Sequence, residues 1–576
     1  MHFAKGLPTM KLRYLVLFWI ILGLFIIPVA SDSSPAKHGM VTSSTQTASD
    51  IGLRVLQEGG NAVDAAVAVA YALAVTNPRA GNIGGGGFMV IRLDSGEMTT
   101  VDYREIAPGA ASRTMFQDEQ GNAVTERSRE GPLASGVPGT VAGMSYALNR
   151  YGTKELSELL APSIELAREG ITVTSRLSRS LNAHRDYLKQ DSVARALFVP
   201  SDSFRTGDRF KQPELVSTLH TIAENGKGAF YEGEIADKIV ATMERLGGLI
   251  THEDLRRYRP REREPVHGNY RGYDIYSMPP PSSGGITITG ILGILEAYPL
   301  GKWGYNTAKT LHYKTEAERH IYADRNYFLG DPEFEDMPVD VLTSENYYAY
   351  LRTLIGPNAT PSSEVDHITW GTVDSLRAGL PEHTETTHFS IVDKAGNVVS
   401  NTYTINGSYG AGYAIAGAGF LMNNEMDDFS AKPGVPNMYG LIGAEANAVE
   451  PYKRMLSSMS PTIVMKEGKP ILATGTPGGS RIITTTAQII MNIIDHKMPV
   501  SEAVAAPRVH SQWLPDAVYY ESGALSSETK RILQQKGHTL KERSEIGEAN
   551  SIYIDPATGL KYSGADTSRG GTVAEY

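Results

Sequence analysis

The spacing of apolar residues is helical over most of the first part of the chain. Over residues 42–77 it predicts two helices separated by the stop signal Gly59-Gly60. Asn61 is placed to cap the second helix, which is almost entirely apolar and is therefore expected to be deeply buried. Residues 130 to about 354 continue mainly in helical spacing, with charged faces and Pro/Gly breaks.

Alternating apolar and polar residues predict strands in three other places. Hairpins are expected over residues 88–103, 387–405 and 461–475, each with a polar or glycine-containing turn. The last hairpin leads into a predicted helix from Arg481 towards Ile494. Strands followed by helices in both halves predict an α+β fold in which sheets are covered by helices.

Composition excludes several classes of function. The 576 residues include 54 Lys and Arg against 64 Asp and Glu, and there is no long basic run that would indicate nucleic-acid binding. The absence of cysteine removes disulfides, thiol catalysis and Cys-based metal sites. The 14 histidines show no metal-ligand spacing, and His388 is expected to be structural, so we expect neither a metal nor another cofactor. The dense run Gly84 to Gly87 does not fit a dinucleotide fingerprint.

The N-terminal residues predict an exported protein. Lys5, Lys11 and Arg13 precede an uncharged stretch over residues 14–29, and small residues follow it. This pattern is typical of a signal peptide, here assigned to residues 1–31. The alternative is a leader that stays in the membrane as an anchor. Both interpretations place the protein outside the cytoplasm, either in the periplasm or fully secreted.

One threonine stands where a linker-like segment meets a predicted strand. Residues 357–381 lack sustained periodicity, and Glu385-Thr386 lies just before the apolar alternation begins. Cleavage before Thr386 would place an α-amine and a hydroxyl on one residue. Because an α-amine titrates near pH 8, it can act as the base for that hydroxyl. The alternative from pattern alone is an ordinary strand start.

Several long strings resemble the γ-glutamyltransferase (γ-glutamyltranspeptidase) family, especially its bacterial members. They extend over nearly the whole chain after the leader: GNIGGGGFM from Gly81, DYREIAP from Asp102, GDPEF from Gly330, TTHFS from Thr386, YTIN from Tyr403, NNEMDDFSAKPGVPN from Asn423, LSSMSPTIV from Leu456, GTPGGSRI from Gly475 and APRVHSQWLPD from Ala506. The resemblance implies the N-terminal-nucleophile fold, a four-layer αββα sandwich.

The resemblance also implies catalytic roles. Thr386 is similar to the residue that cleaves the precursor and then acts as nucleophile, and Thr404 to the threonine that orients it. Gly478 and Gly479 precede a predicted helix, where unsatisfied N–H groups can form an oxyanion hole. Tyr439 lies in residues 433–448, which resemble the lid loop of bacterial members.

The resemblance also implies which residues bind the substrate, and their charges complement those of a glutamyl group. The glutamyl α-carboxylate is expected to bind Arg104, whose guanidinium offers a bidentate fork, and the hydroxyls of Ser457 and Ser458. Acceptors for its α-ammonium are expected from the other predicted site residues, Asn406, Glu425 and Asp428. Donors on one side and carboxylates on the other would select a γ-linked glutamyl group with both α-groups free.

The resemblance predicts the products of cleavage and the reaction. A large subunit of residues 32–385 and a small subunit of residues 386–576 would form a heterodimer. Its donors would be glutathione and other γ-glutamyl compounds, and its acceptors water, amino acids or dipeptides. Alternatives of the same fold are a glutaryl or cephalosporin acylase and a poly-γ-glutamate depolymerase or transferase. An alternative of another class is a homologue that never processes and has no enzymatic activity.

Overall fold

The alternating segments form two stacked antiparallel sheets in the computed structural model, which describes residues 35–200, 202–376 and 388–576. The predicted leader and the predicted cleavage junction at Glu385 and Thr386 lie outside these residues. The seven-stranded sheet runs in the order Thr572–Glu575 (β18), Met40–Ser43 (β1), Phe389–Val392 (β9), Val398–Thr404 (β10), Gly86–Arg92 (β2), Met98–Tyr103 (β3) and Arg261–Arg263 (β6).

The second sheet has six strands and packs against the first. Its order is Lys561–Ala565 (β17), Asn550–Ile554 (β16), Lys469–Thr474 (β12), Thr462–Lys466 (β11), Tyr273–Ser277 (β8) and Val266–Tyr270 (β7). Two small sheets lie outside this pair and contain Ile171–Thr172 (β4) with Arg209–Phe210 (β5), and Val509–His510 (β13), Val518–Glu521 (β14) and Leu540–Arg543 (β15).

Side-chain alternation along the strands builds a core on each face of the first sheet. In β2, Phe88 and Val90 face the second sheet, whereas Met89 and Ile91 face the helices. Each such fully buried side chain contributes about 1.5–3 kcal/mol through removal of apolar surface from water. The helices on this outer face are Gln46–Gln57, Ala62–Thr76, Thr140–Tyr151, Leu156–Glu169, Pro213–Tyr231 and Glu234–Leu246.

A second helical layer covers the other sheet. Its main members are Gly284–Leu295, Ala308–Phe328, Glu345–Leu354, Arg481–Ile494 and Val500–Ala505. The order helix, sheet, sheet, helix confirms the predicted α+β, four-layer sandwich. The remaining helices are Glu126–Arg129, Ser175–Ala183, Arg185–Leu188, Ser192–Phe198, His252–Arg257, Leu300–Trp303, Val339–Leu342, Trp370–Leu376 and Ser527–Gln535, with 3₁₀ turns at Pro132–Ala134, Glu425–Asp428 and Glu445–Asn447. In the described ranges, none of the helices combines the length and the apolar character that crossing a membrane requires.

Local sequence signals set several element boundaries as predicted. The Asn61 side chain accepts hydrogen bonds from the amides of Val63 and Asp64, and Asp64 bonds back to the Asn61 amide in a capping box. The helix Ala62–Thr76 that follows is buried along its whole length. The helix predicted from Arg481 spans Arg481–Ile494.

Two regions differ from the predicted pattern. Residues 130–354 are mainly helical, but strands β4 to β8 lie within them, because short strands with charged or polar residues beside the buried positions give little apolar alternation. Residues 357–381, predicted as a loop or linker, contain the helix Trp370–Leu376.

Candidate active site

The predicted site residues of the described chain meet around one cavity of about 410 Å³. The hairpin β9–β10 lies near the middle of the first sheet and leads to this cavity, because β10 ends at Thr404. The cavity is lined by residues that are far apart in sequence: Arg104, Thr404, Asn406, Glu425, Asp428, Tyr439, Ser457, Ser458, Gly478 and Gly479.

Arg104 is fully buried and holds two carboxylates at the base of the cavity. It follows β3, and its Nε donates to the carbonyl of Met455 at 3.2 Å. Its Nη1 donates to Glu425 Oε2 at 2.5 Å and its Nη2 to Asp428 Oδ2 at 2.6 Å. The prediction put the cation and the carboxylates on opposite sides of the substrate. The structure instead brings them into direct contact, since a buried guanidinium requires a counter-charge.

Burial sets the protonation of this cluster. It raises the pKa of Glu425 to about 8, even though Arg104 favours the ionised form. It also raises the pKa of Asp428, and it raises the pKa of Glu105 well above its usual range, with the charge of Glu425 adding to the effect. Among the described residues neither carboxyl oxygen of Glu105 has a hydrogen-bond partner. The carboxyl groups of this cluster are therefore protonated more easily than those of an ordinary ion pair.

The two predicted serines are held on a buried loop beside this cluster. The Ser457 amide donates to the Pro281 carbonyl at 2.7 Å, and its hydroxyl accepts from the Met459 amide at 3.2 Å. The Ser458 hydroxyl accepts from Arg325 Nη2 at 3.2 Å. Both hydroxyls therefore line the cavity in fixed positions.

Thr404, Asn406 and Tyr439 form a connected chain of hydrogen bonds. Thr404 Oγ1 accepts from the Asn406 amide at 2.8 Å, which fixes the hydroxyl at the end of β10. Asn406 adopts a left-handed φ of +69°, and its side-chain amide donates to the Asn424 carbonyl at 3.0 Å. The Tyr439 hydroxyl donates to the Asn406 carbonyl at 3.1 Å. The predicted lid is thus bonded to the chain two residues from Thr404.

Gly478 and Gly479 form the turn before the helix Arg481–Ile494. Their φ values of +143° and +60° favour glycine. A Cβ on Gly479 would lie 2.4 Å from Cδ1 of Tyr439, so glycine also permits this close approach. Within the described chain, neither amide N–H makes a hydrogen bond. Two unsatisfied donors at the cavity wall, before a helix, are suited to a developing oxyanion.

The described chain resumes after the predicted nucleophile at His388, and Thr386 lies outside it. His388 is buried, which lowers its pKa to about 3 and keeps it neutral. It contacts the hydroxyls of Ser390 and Ser400 at 3.1 and 3.3 Å and the carbonyl of Asn550. These contacts fit the predicted structural role.

Four arginines at or beside the cavity were not predicted as site residues. Arg325 bonds Ser458 from the helix Ala308–Phe328, and Arg79, Arg176 and Arg481 line the cavity. A signal for Arg325 exists, because this helix carries charged residues on every face and such a helix, if buried, must bind charges. Arg79 and Arg176 stand in unremarkable polar stretches that give no such signal.

Comparison with known proteins agrees with this fold. The family model Gamma-glutamyltranspeptidase matches residues 48–576. The glutathione hydrolase proenzyme of Escherichia coli is 48% identical over 534 residues, covering 92% of this chain and 90% of its own.

Two solved structures are similar as well. Cephalosporin acylase from Bacillus halodurans has a TM-score of 0.82 at 28% identity, covering 94% of this chain and 96% of its own. Helicobacter pylori γ-glutamyltranspeptidase has a TM-score of 0.56 at 46% identity, covering 56% of this chain and 94% of the matched one. With the family model matching almost the whole chain, this protein belongs to the γ-glutamyltranspeptidase family.

Proposed function

We propose that Thr386 both cleaves the precursor and serves as the nucleophile of the mature enzyme. As a member of its family, the chain is a self-processing γ-glutamyltransferase with glutathione hydrolase activity. The observation that supports these roles best is the single cavity in which a buried arginine, carboxylates, serines and a glycine pair meet. We further propose export to the periplasm or the medium, on the basis of the leader.

In the first stage the Thr386 hydroxyl attacks the carbonyl carbon of Glu385. The peptide bond between them is replaced by an ester, and the released nitrogen takes the hydroxyl proton. Water then hydrolyses the ester, leaving a carboxylate on Glu385 and a free amine and hydroxyl on Thr386. The fragments 32–385 and 386–576 stay together as a heterodimer, because both sheets contain strands from each fragment.

In the second stage the free amine of Thr386 removes the proton from its own hydroxyl, which attacks the γ-glutamyl amide. Thr404 is proposed to orient that hydroxyl. The N–H groups of Gly478 and Gly479 stabilise the oxyanion, and a donor of this kind typically contributes about 2.7–4 kcal/mol. The leaving amine takes the proton and departs, and a γ-glutamyl ester remains on Thr386.

The ester is resolved by a second nucleophile. Water releases glutamate, whereas the amine of an amino acid or dipeptide gives a new γ-glutamyl peptide, and both routes regenerate the Thr386 hydroxyl. Tyr439 is proposed to hold the lid over the glutamyl group and restrict the entry of water.

The glutamyl headgroup is proposed to insert into the charged cluster. Its α-carboxylate would take hydrogen bonds from Arg104 and from the hydroxyls of Ser457 and Ser458. Its α-ammonium would donate to the remaining acceptors of the cavity, Asn406, Glu425 and Asp428. A substrate that carries both charges can replace part of the contact between Arg104 and the two acids, so it need not leave a buried charge unpaired.

The acylase alternative has support in the similarity to cephalosporin acylase. A glutaryl group has no α-ammonium, so it would leave Glu425 and Asp428 without a substrate partner. Turnover of γ-glutamyl-p-nitroanilide and glutaryl-p-nitroanilide under identical conditions separates the two activities. We expect a clear preference for the γ-glutamyl compound, and a preference for glutaryl would overturn the assignment.

The nucleophile is tested on the protein itself. Mass spectrometry of the purified protein should show a small subunit that begins at Thr386, and a γ-glutamyl adduct on that fragment after brief exposure to donor. Thr386→Ala should give one uncleaved band on a denaturing gel, and Thr386→Ser is the matched control that keeps a hydroxyl. Efficient glutathione cleavage by an intact chain would contradict the scheme.

A further inference from the structure

A second cavity adjoins the active-site cavity. It has a volume of about 970 Å³ and extends between the helices Gln46–Gln57, Leu156–Glu169 and Ser175–Ala183. The two cavities share two lining residues, Arg79 and Arg176, which therefore stand where one opens towards the other. A substrate held by its glutamyl end has its leaving group on this side, if the headgroup binds at the Arg104 cluster.

Arg79 has acids nearby but no direct ion pair among the described residues. Its backbone carbonyl accepts from the Tyr409 amide at 3.0 Å, which fixes the chain at this point. Its guanidinium makes no hydrogen bond or ion pair with any residue of the described ranges. Burial lowers the pKa of Arg79, and the positive charge of Arg176 lowers it further. A half-buried guanidinium beside a second one, in a cavity wall, is suited to an anion.

Arg176 is held in place by its surroundings. It pairs with the buried carboxylate of Glu548 and packs on the backbone of Gly570, where a Cβ would clash with the guanidinium. Glu548 and Glu545 are the acids that lie near Arg79 in the active-site cavity. Arg176 already occupies one oxygen of Glu548, and Glu545 is exposed, so the Arg79 guanidinium keeps donors that no carboxylate of the described residues contacts directly.

We propose that Arg79, assisted by Arg176, binds the free C-terminal carboxylate of the leaving peptide and of a peptide acceptor. The inference rests on the proposed function, because it places this carboxylate relative to a bound γ-glutamyl group. In glutathione the leaving dipeptide ends in such a carboxylate. The adjoining cavity leaves space for acceptors of more than one residue.

The test compares glutathione with its C-terminal glycinamide, which has the same scissile bond and the same headgroup but no carboxylate. Glutamate release gives kcat/KM for both. We expect the wild-type enzyme to prefer the acid about 10-fold, as for one charge-assisted contact. In Arg79→Gln the acid-to-amide ratio should fall to about 1–2. Arg54→Gln is the matched control, since Arg54 lines only the second cavity, and it should keep the wild-type ratio.

The outcomes distinguish failure of the proposed function from failure of the carboxylate subsite alone. If the wild-type enzyme releases no glutamate from either compound, the proposed function fails. If it cleaves both equally well, or if Arg79→Gln keeps the full preference, only the carboxylate subsite fails. Should Arg79→Gln not fold, the wild-type enzyme decides alone, through transfer to glycylglycine against glycylglycinamide. Equal transfer to both would overturn the inference, and a clear preference for glycylglycine would support it.

Discussion

Among the described residues, Arg104 and Arg508 are completely buried, and the differences between their surroundings indicate a functional role for the first and a structural role for the second. Arg104 lies at the base of the cavity among Glu105, Glu425 and Asp428. Arg508 does not line the cavity, and it donates to the carbonyls of Ile546 and Val504 and to Asp566.

The acids around the two arginines show the difference. Near Arg508, both oxygens of Glu521 and both of Asp566 accept hydrogen bonds, and Arg569 adds a second cation. Near Arg104, one oxygen of Glu425 and both oxygens of Glu105 have no partner within the described ranges. The acids beside Arg508 are thus fully hydrogen-bonded, although its own Nε has no partner among the described residues, whereas the acids beside Arg104 keep unused hydrogen-bonding capacity that a ligand can take up.

The largest expected effect on activity comes from removing the guanidinium of Arg104. Arg104→Met should lower kcat/KM for γ-glutamyl-p-nitroanilide about 10³- to 10⁴-fold, because hydrogen bonds to a charged group contribute about 1.5–3 kcal/mol each. Thermal unfolding should change little, since Glu425 is already partly protonated at neutral pH and can stay neutral. Steady-state kinetics and a melting curve measure both. A large loss of stability with retained activity would reverse the assignment of this cluster.

The same substitution at Arg508 should have the opposite pattern, with its main effect on stability. Arg508→Met leaves Asp566 and the carbonyls of Ile546 and Val504 without their partner, which should lower the free energy of unfolding by about 3–5 kcal/mol. Denaturant melts of both Met variants, in parallel with the wild-type protein, test the contrast. The comparison between the two arginines would be broken if Arg104→Met were the less stable of the two.

Next in size is a pH effect centred on Glu425. Because burial raises its pKa to about 8, only about a tenth of the enzyme carries an ionised Glu425 at pH 7. If the ionised form binds the donor's ammonium, KM should fall up to about 10-fold as pH rises from 7 to 9. Glu425→Gln should lose this dependence. Glu262→Gln is a control away from the cavity and should keep it.

The pH dependence of stability provides an independent test of the raised pKa of Glu425. Its folded pKa lies above its unfolded value of 4.5, so the folded protein holds a proton that the unfolded chain releases between pH 4.5 and 8. This group therefore makes the wild-type protein progressively less stable across that window. Relative to Glu425→Gln, wild-type stability should fall from pH 4.5 to 8 and stay level above it. A constant difference would mean that the pKa is not raised.

The sequence predicted the layered fold and the residues around the cavity, because strand alternation, the Asn61 cap and the long matching strings are local features. It did not predict the direct contact between Arg104 and its acids, since that contact depends on burial by distant segments. Arg79 was missed for the same reason, because an arginine's counter-ion cannot be read from its neighbours in sequence. The junction at Thr386 remains a prediction, because it lies outside the described residues.

The smallest expected effect tests the comparison most directly. Glu105 is fully buried, and burial raises its pKa well above its usual range, so we expect its protonated form to be favoured and to resemble the neutral amide that would replace it. Glu105→Gln should change kcat/KM by less than about twofold and stability by about 0.5 kcal/mol or less. Glu521→Gln is the matched variant, and it should cost about 2 kcal/mol or more, since the Glu521 carboxyl accepts from Arg569 and from the Ile546 amide. If the two variants were equally destabilised, Glu105 would be a structural acid like Glu521, and its unpaired oxygens would not distinguish the surroundings of Arg104 from those of Arg508.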